Sequence, residues 1–226
     1  MSVATLRLWL AGPLQAWGTG SRFEVRSTDL WPSKSGVVGL LAAAEGRPRD
    51  EAVDDLAALR FGVRVVRAGS VLRDFHTVGA AGGSGGVAVS SGARGRGIVT
   101  ERYYLQDAAF VVGLEGGDGV RLRALREAVR GPHWPLALGR RSCPPAGVLV
   151  DDASLFHGGL EAALRDAWRP EGCESIEDGS HQQLVLEDPT GSEVRADQPR
   201  GAAFVTRRFG TRRMRVLPLA REVDAR

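Results

Sequence analysis

The chain is poor in the residues that build cross-linked or metal-centred folds. Two cysteines, Cys143 and Cys173, occur in 226 residues, too few for a disulfide scaffold or a Cys-rich zinc module. Four histidines, His76, His133, His157 and His181, show neither i,i+4 pairing nor a carboxylate at ligand spacing, so surface or structural roles are expected and no metal or cofactor is implied. No run of about 18 apolar residues is present, which excludes a helical membrane span. Met1 is not followed by a basic n-region and a long apolar stretch, so no secretory signal is read and a cytoplasmic location is expected. No Gly-Lys-Ser/Thr follows a strand, no glycine run has dinucleotide spacing, and no Gly-x-Ser-x-Gly elbow occurs. Nothing in the residues demands an enzyme.

Lysine is the scarcest charged residue. Lys34 stands alone against 29 arginines. GC-rich codons account for much of this bias, since alanine and glycine are abundant too. Arginine nevertheless offers a planar fork to phosphate and a face that stacks on bases. The net charge of +3 is unevenly spread: residues 171–197 sum to −7 and the remainder to +10. Such a split fits a polyanion-binding body with an acidic segment that is solvated or faces a partner.

With 43% hydrophobic residues a sizeable core can form. Val3–Ala11 alternates and reads as a strand, with Leu6, Leu8 and Leu10 on one face. Ser33 or Ser35 caps a helix that runs to Ala44 and stops at Gly46. Asp50–Leu59 reads as a second helix; Phe61–Val66 and Val71–Val78 read as strands. Gly79–Gly97 holds eight glycines in nineteen residues and suits a projecting or disordered loop. Val99–Gly113 reads as one long strand, Gly119–Val129 as a helix with Val120, Leu125 and Val129 inward, and Trp134–Leu138 as a last strand. This β-α-β-hairpin-β-α-β order is that of an α+β, ferredoxin-like (split βαβ, RRM-like) domain over residues 1–147. A smaller β-rich module is expected over 148–226, with a helix at Leu155–Trp168 and strands at Leu184–Leu186, Glu193–Arg195 and Met214–Leu217.

Three constellations suggest an anion. In Gly12–Gly18, Gln15 can hydrogen-bond a base and Trp17 offers a stacking face, or Trp17 plugs the core. In Pro32–Val37, Lys34 and Ser35 lie at a helix start whose free N–H groups attract phosphate, or the serines simply cap. In Leu138–Pro145, Arg140 and Arg141 sit in a turn stiffened by Gly and Pro, able to place one fork outward on phosphate and one inward on a carboxylate.

Gly12–Gly18, Pro32–Leu41, Arg73–Val78, Tyr103–Phe110 and Leu138–Pro144 occur in order and together resemble the CasD family of type I-E CRISPR Cascade subunits, within the RAMP superfamily. The resemblance implies a ferredoxin-like domain with a protruding β-hairpin thumb, here at about 79–102. It implies a non-catalytic subunit that holds the 5′ handle of the CRISPR RNA in antiviral defence. Partners would be the backbone subunit CasC, the large subunit CasA and, through the complex, target DNA. By position, Arg94, Arg96 and Arg102 would be the thumb's anion contacts, and His76, Tyr103 and Ser142 fall in matching blocks. A related type I-C protein cuts RNA, so a metal-independent endoribonuclease stays open, with His76 as acid–base and Lys34 or Tyr103 on the scissile phosphate. A protein-only scaffold is the third reading.

Overall fold

The computed structural model describes residues 3–20, 24–78, 87–88, 94–95, 98–116, 119–173, 178–179 and 182–219. Strand β1 (Thr5–Ala11) is buried along its whole length, because both faces of its sheet are covered. Leu6, Leu8 and Leu10 join one core cluster with helices α1 (Lys34–Ala44) and α3 (Gly119–Arg130). Trp9 joins a second cluster on the opposite face, with Leu160 and Leu164 of α4 (Leu160–Arg165). Helix α1 begins where expected: the Ser33 hydroxyl accepts from the Gly36 N–H at 3.2 Å, and Gly46 takes φ +75° after its end. Val37, Val38 and Leu41 are wholly buried, each worth about 1.5–3 kcal/mol relative to exposure.

After β1 come β2 (Leu14–Gln15) and β3 (Val25–Arg26), then α1 and the short α2 (Asp54–Ala57). Strands β4 (Arg60–Arg67) and β5 (Ser70–Val78) follow. The small ladder β6 (Val87–Ala88) with β7 (Arg94–Gly95) precedes β8 (Ile98–Gln106) and β9 (Ala109–Glu115). Past α3 lie β10 (Leu155–Phe156), α4, β11 (Gln183–Glu187), β12 (Glu193–Pro199), α5 (Ala203–Thr206) and β13 (Phe209–Pro218). The main sheet has seven strands in the order β10-β1-β9-β4-β11-β13-β12, antiparallel throughout. The fold is thus mixed α/β with mostly antiparallel sheets. The expected boundary at 147/148 runs within this sheet, since β10 lies beside β1 and β11 beside β4.

Several elements differ from expectation. The long strand at 99–113 is two strands: Asp107 turns with φ 55°, sending β8 into a second sheet with β2, β3 and β5 while β9 stays in the first. No strand forms over 134–138; the two residues of β10 take the edge beside β1 instead. The helix expected at 155–168 is confined to 160–165. On α3 it is Leu122, with Leu125 and Val129, that is buried, while Val120 is 65% exposed. Helix α4 docks where two glycines face each other across strands, Gly62 and Gly113. A Cβ on either would stand 2.6–2.7 Å from a Leu164 or Leu160 methyl.

Part of the acidic stretch is turned inward, while Glu171 and Glu193 are exposed. Asp197 is fully buried and accepts from Arg212 at 2.6 and 3.0 Å. Glu187 pairs with Lys34, and Asp178 with Arg169. These three carboxylates neutralise arginines and the lysine of the same body.

Candidate nucleic-acid interface

Four separate segments meet at the start of α1. Gly12 and Gly139 let two of them touch. A Cβ on Gly139, which has φ +89°, would lie 1.7 Å from the Ala16 carbonyl oxygen, and one on Gly12 would lie 2.9 Å from that of Pro144. The Ala16 N–H donates to the Leu138 carbonyl at 3.0 Å, and the Ala146 N–H to the Ala11 carbonyl at 2.9 Å. The 138–146 turn is therefore stitched to the 12–17 loop along its length. Between them, α1 and the C-terminal 204–209 segment lies an open cavity of about 290 Å³, lined by Arg26, Ser33, Ser35, Arg140, Phe204 and Phe209 among others. A neighbouring groove of about 890 Å³ shares Ser35, Gly139 and Phe204 and adds Arg47, Arg49, Trp134 and Arg141. Five arginines line the two, and no carboxylate does among the described residues.

The expected contact residues divide into three groups. Gln15, Trp17 and Lys34 are corrected to interior roles. Gln15 is wholly buried; its amide donates to the carbonyls of Leu10 (3.1 Å) and Ala108 (2.8 Å), and its oxygen accepts from the Trp17 indole at 2.9 Å. Trp17 is 1% exposed and packs under Gly36, so the core-plug alternative holds. The Lys34 ammonium is 1% exposed against Glu187 at 2.9 Å, and burial lowers its pKa despite that partner. Asp197 takes the Lys34 N–H at 2.8 Å. The helix start is thus closed to phosphate by the protein's own carboxylate and by the Ser33 cap.

Ser35, Arg140 and Arg141 line the cavities, and Ser142 follows in the same turn. Arg140 turns inward, as one of the pair was expected to, but onto carbonyls rather than a carboxylate. It donates to Tyr103 (3.0 Å), Arg26 (2.7 Å) and Ser27 (3.2 Å) while lying 4.7 Å over the Tyr104 ring. It clamps β3 and β8 to the 138–146 turn. Arg141 is exposed and carries no ion pair among the described residues. Ser142 is exposed too, with its hydroxyl 3.9 Å from the Cys143 sulfur. Burial pushes the Cys143 thiol up.

The third group lies on the β5–β8 ladder, which pairs Ser70–Val78 with Ile98–Gln106 without a break. Most of the hairpin expected near 79–102 lies outside the described residues. Arg96 and the side chain of Arg94 lie outside the described residues. His76 bonds Asp74 at 2.7 Å, and the Tyr103 hydroxyl donates to Glu101 at 3.2 Å. His76 pairs with Thr100 and Tyr103 with Arg73, so strand alternation puts these two side chains on opposite faces. With Lys34 in the core, the three groups weighed for RNA cleavage are not brought together. The Arg102 Nε is buried without a hydrogen-bond partner among the described residues.

Several arginines elsewhere are already engaged. On α3, Arg121 pairs with Glu45 and Asp55, and Arg130 with Asp152. Arg47 beside Asp55 holds that carboxyl down to about 2. Sequence reasoning missed Arg26, Phe204 and Phe209; the only available signal was the cluster Phe204-Val-Thr-Arg-Arg-Phe209 near the C-terminus.

Comparison with known proteins gives concordant matches. The family described as CRISPR-associated protein (Cas_Cas5) matches residues 5–215. The CRISPR system Cascade subunit CasD of Escherichia coli (strain K12) is 40% identical over 154 residues, covering 62% of this chain and 66% of that protein's length. A solved structure described as a Cas protein superposes with a TM-score of 0.73 at 40% identity, covering 96% of both chains. A chain of a CRISPR RNA-guided surveillance complex superposes with a TM-score of 0.73 at 33% identity, covering 95% of this chain and 89% of that one.

Proposed function

The chain belongs to the CRISPR-associated Cas5 family, and from that premise we propose that it is a non-catalytic, CRISPR-RNA-binding subunit of a Cascade-type surveillance complex. One observation carries the reading: residues of the family-like blocks converge from distant segments on an open cavity and groove lined by five arginines and no carboxylate among the described residues. Such a surface suits the 5′ handle of the RNA. Phosphates meet guanidinium forks, and splayed bases meet apolar and aromatic walls. The ferredoxin-like reading of the N-terminal half is supported by the strand order β10-β1-β9-β4 with α1 and α3 on one face. The β5–β8 hairpin supports a thumb. Contacts to CasC and CasA, which the family resemblance implies, belong to the same proposal.

The test is binding of the purified full chain to handle RNA, against the same RNA annealed into a duplex. Preference for the single strand, with affinity falling as salt rises, is expected. Equal affinity for both forms would remove the reading. Incubating the chain with repeat RNA in EDTA addresses the enzyme alternative. Intact RNA is expected; site-specific cutting lost in His76→Ala would favour the nuclease.

A further inference from the structure

The wall of the cavity contributed by the C-terminal segment has a feature that core packing does not explain. Helix α5 docks through Phe204, whose ring would stand 3.3 Å from a Cβ on Gly39, so α1 makes room for it. The helix then ends on Arg207, a non-glycine residue in the left-handed region at φ 53° and ψ 37°. Its backbone N–H closes the turn onto the Ala203 carbonyl at 2.8 Å. Glycine would serve that geometry without the steric cost an L-residue bears there. The guanidinium has no acceptor to justify the cost: Arg207 and Arg208 are exposed and make no side-chain ion pair or hydrogen bond among the described residues. Phe209 follows, 39% exposed and lining the cavity beside Arg26 and Arg140. Two exposed, unpaired arginines and a strained turn thus sit in the chain between Phe204 and Phe209, the two residues by which this segment lines a cavity free of carboxylates. Outliers of this kind concentrate where a ligand is held.

We propose that Arg207, Arg208 and Phe209 form the second wall of the RNA site. A base stacks on Phe209, and the two arginines hold the phosphates that flank it. The assignment rests on the RNA-binding reading above and extends it to a part of the chain outside the family-like blocks that first suggested it. The strain supplies a clean test, because Arg207→Gly removes the charge while relaxing the backbone.

The experiment measures binding of a short mixed-sequence single-stranded RNA to the full-length wild type, Arg207→Gly and Phe209→Leu, with thermal melting in parallel. Arg207→Gly is expected to bind about tenfold more weakly, the loss of one charge-assisted contact. Its salt slope should be shallower by about 0.7, with Tm unchanged or raised. Phe209→Leu keeps an apolar contact but loses the stacking face, and a comparable loss of affinity is expected. If both variants bind as wild type does while Arg141→Ala does not, the second wall is refuted and the site reading survives. If the wild type itself does not bind, the site reading fails and takes the wall with it. Displacement of the RNA by polyglutamate at equal charge concentration would assign the segment to an acidic protein partner and overturn the proposal.

Discussion

Arg140 donates to three carbonyls from two segments and covers the Tyr104 ring, so its removal leaves several acceptors and an aromatic face uncovered at once. Arg140→Ala is predicted to cost about 1–3 kcal/mol of stability, read by urea unfolding, and Arg140→Lys should not restore it because an ammonium lacks the planar fork. Arg141→Ala touches no internal partner. It should leave stability within about 0.5 kcal/mol while weakening RNA binding. If Arg141→Ala destabilised the chain as much as Arg140→Ala, this division of labour would be wrong. Asp197 sets a larger stake: its carboxylate serves Arg212 through both oxygens and caps the first N–H of α1. Asp197→Ala strands a buried guanidinium and is predicted to cost about 3–5 kcal/mol, measured by the same unfolding curves.

At the scale of elements, the site depends on two loops that touch only because glycine stands at the contact. Gly139→Ala must move the Ala16 carbonyl and force an L-residue to φ +89°. A loss of at least about 2 kcal/mol is expected, with the 138–146 turn becoming sensitive to limited proteolysis. A variant as stable and protease-resistant as wild type would refute the contact. The elements that could be read from sequence were those with local punctuation: α1, bounded by Ser33 and Gly46, and β4 and β5, bounded by turn residues. The break at Asp107 was hidden, because an aspartate in a left-handed turn looks like any polar residue between two apolar runs. The blocks that build the site were legible, yet the aim of their side chains was not. Gln15 is satisfied by a carbonyl 93 residues away, and Lys34 by a carboxylate 153 residues away. No local pattern distinguishes such a buried partner from a waiting phosphate.

At the scale of the molecule, three acids of the 171–197 stretch, Glu187, Asp178 and Asp197, are spent on cations of the same body. Arg26, Arg49, Arg141, Arg207 and Arg208, at or next to the cavity and groove, are exposed without an ion-pair partner among the described residues. About five phosphate contacts to a single strand predict a log–log salt slope near −3.5. A titration of RNA affinity against salt checks this. A slope steeper than about −6 would mean that paired arginines, such as those of α3, also leave their carboxylates for phosphate.

The seam between Lys34 and its counter-charges at Glu187 and Asp197 also dictates when the protein can become itself. The two halves of that seam are made at different times by the ribosome. At a synthesis rate of about 5–20 residues per second, α1 waits roughly 8–30 seconds for the strands that neutralise it. Throughout that interval the lone lysine stays hydrated and the helix start stays uncapped by Asp197. A nascent chain stalled at residue 180 is expected to show Lys34 open to amine-reactive labelling, and the released chain to show it protected. The floor of the site is in this sense laid only after the strands that carry Glu187 and Asp197 have been made.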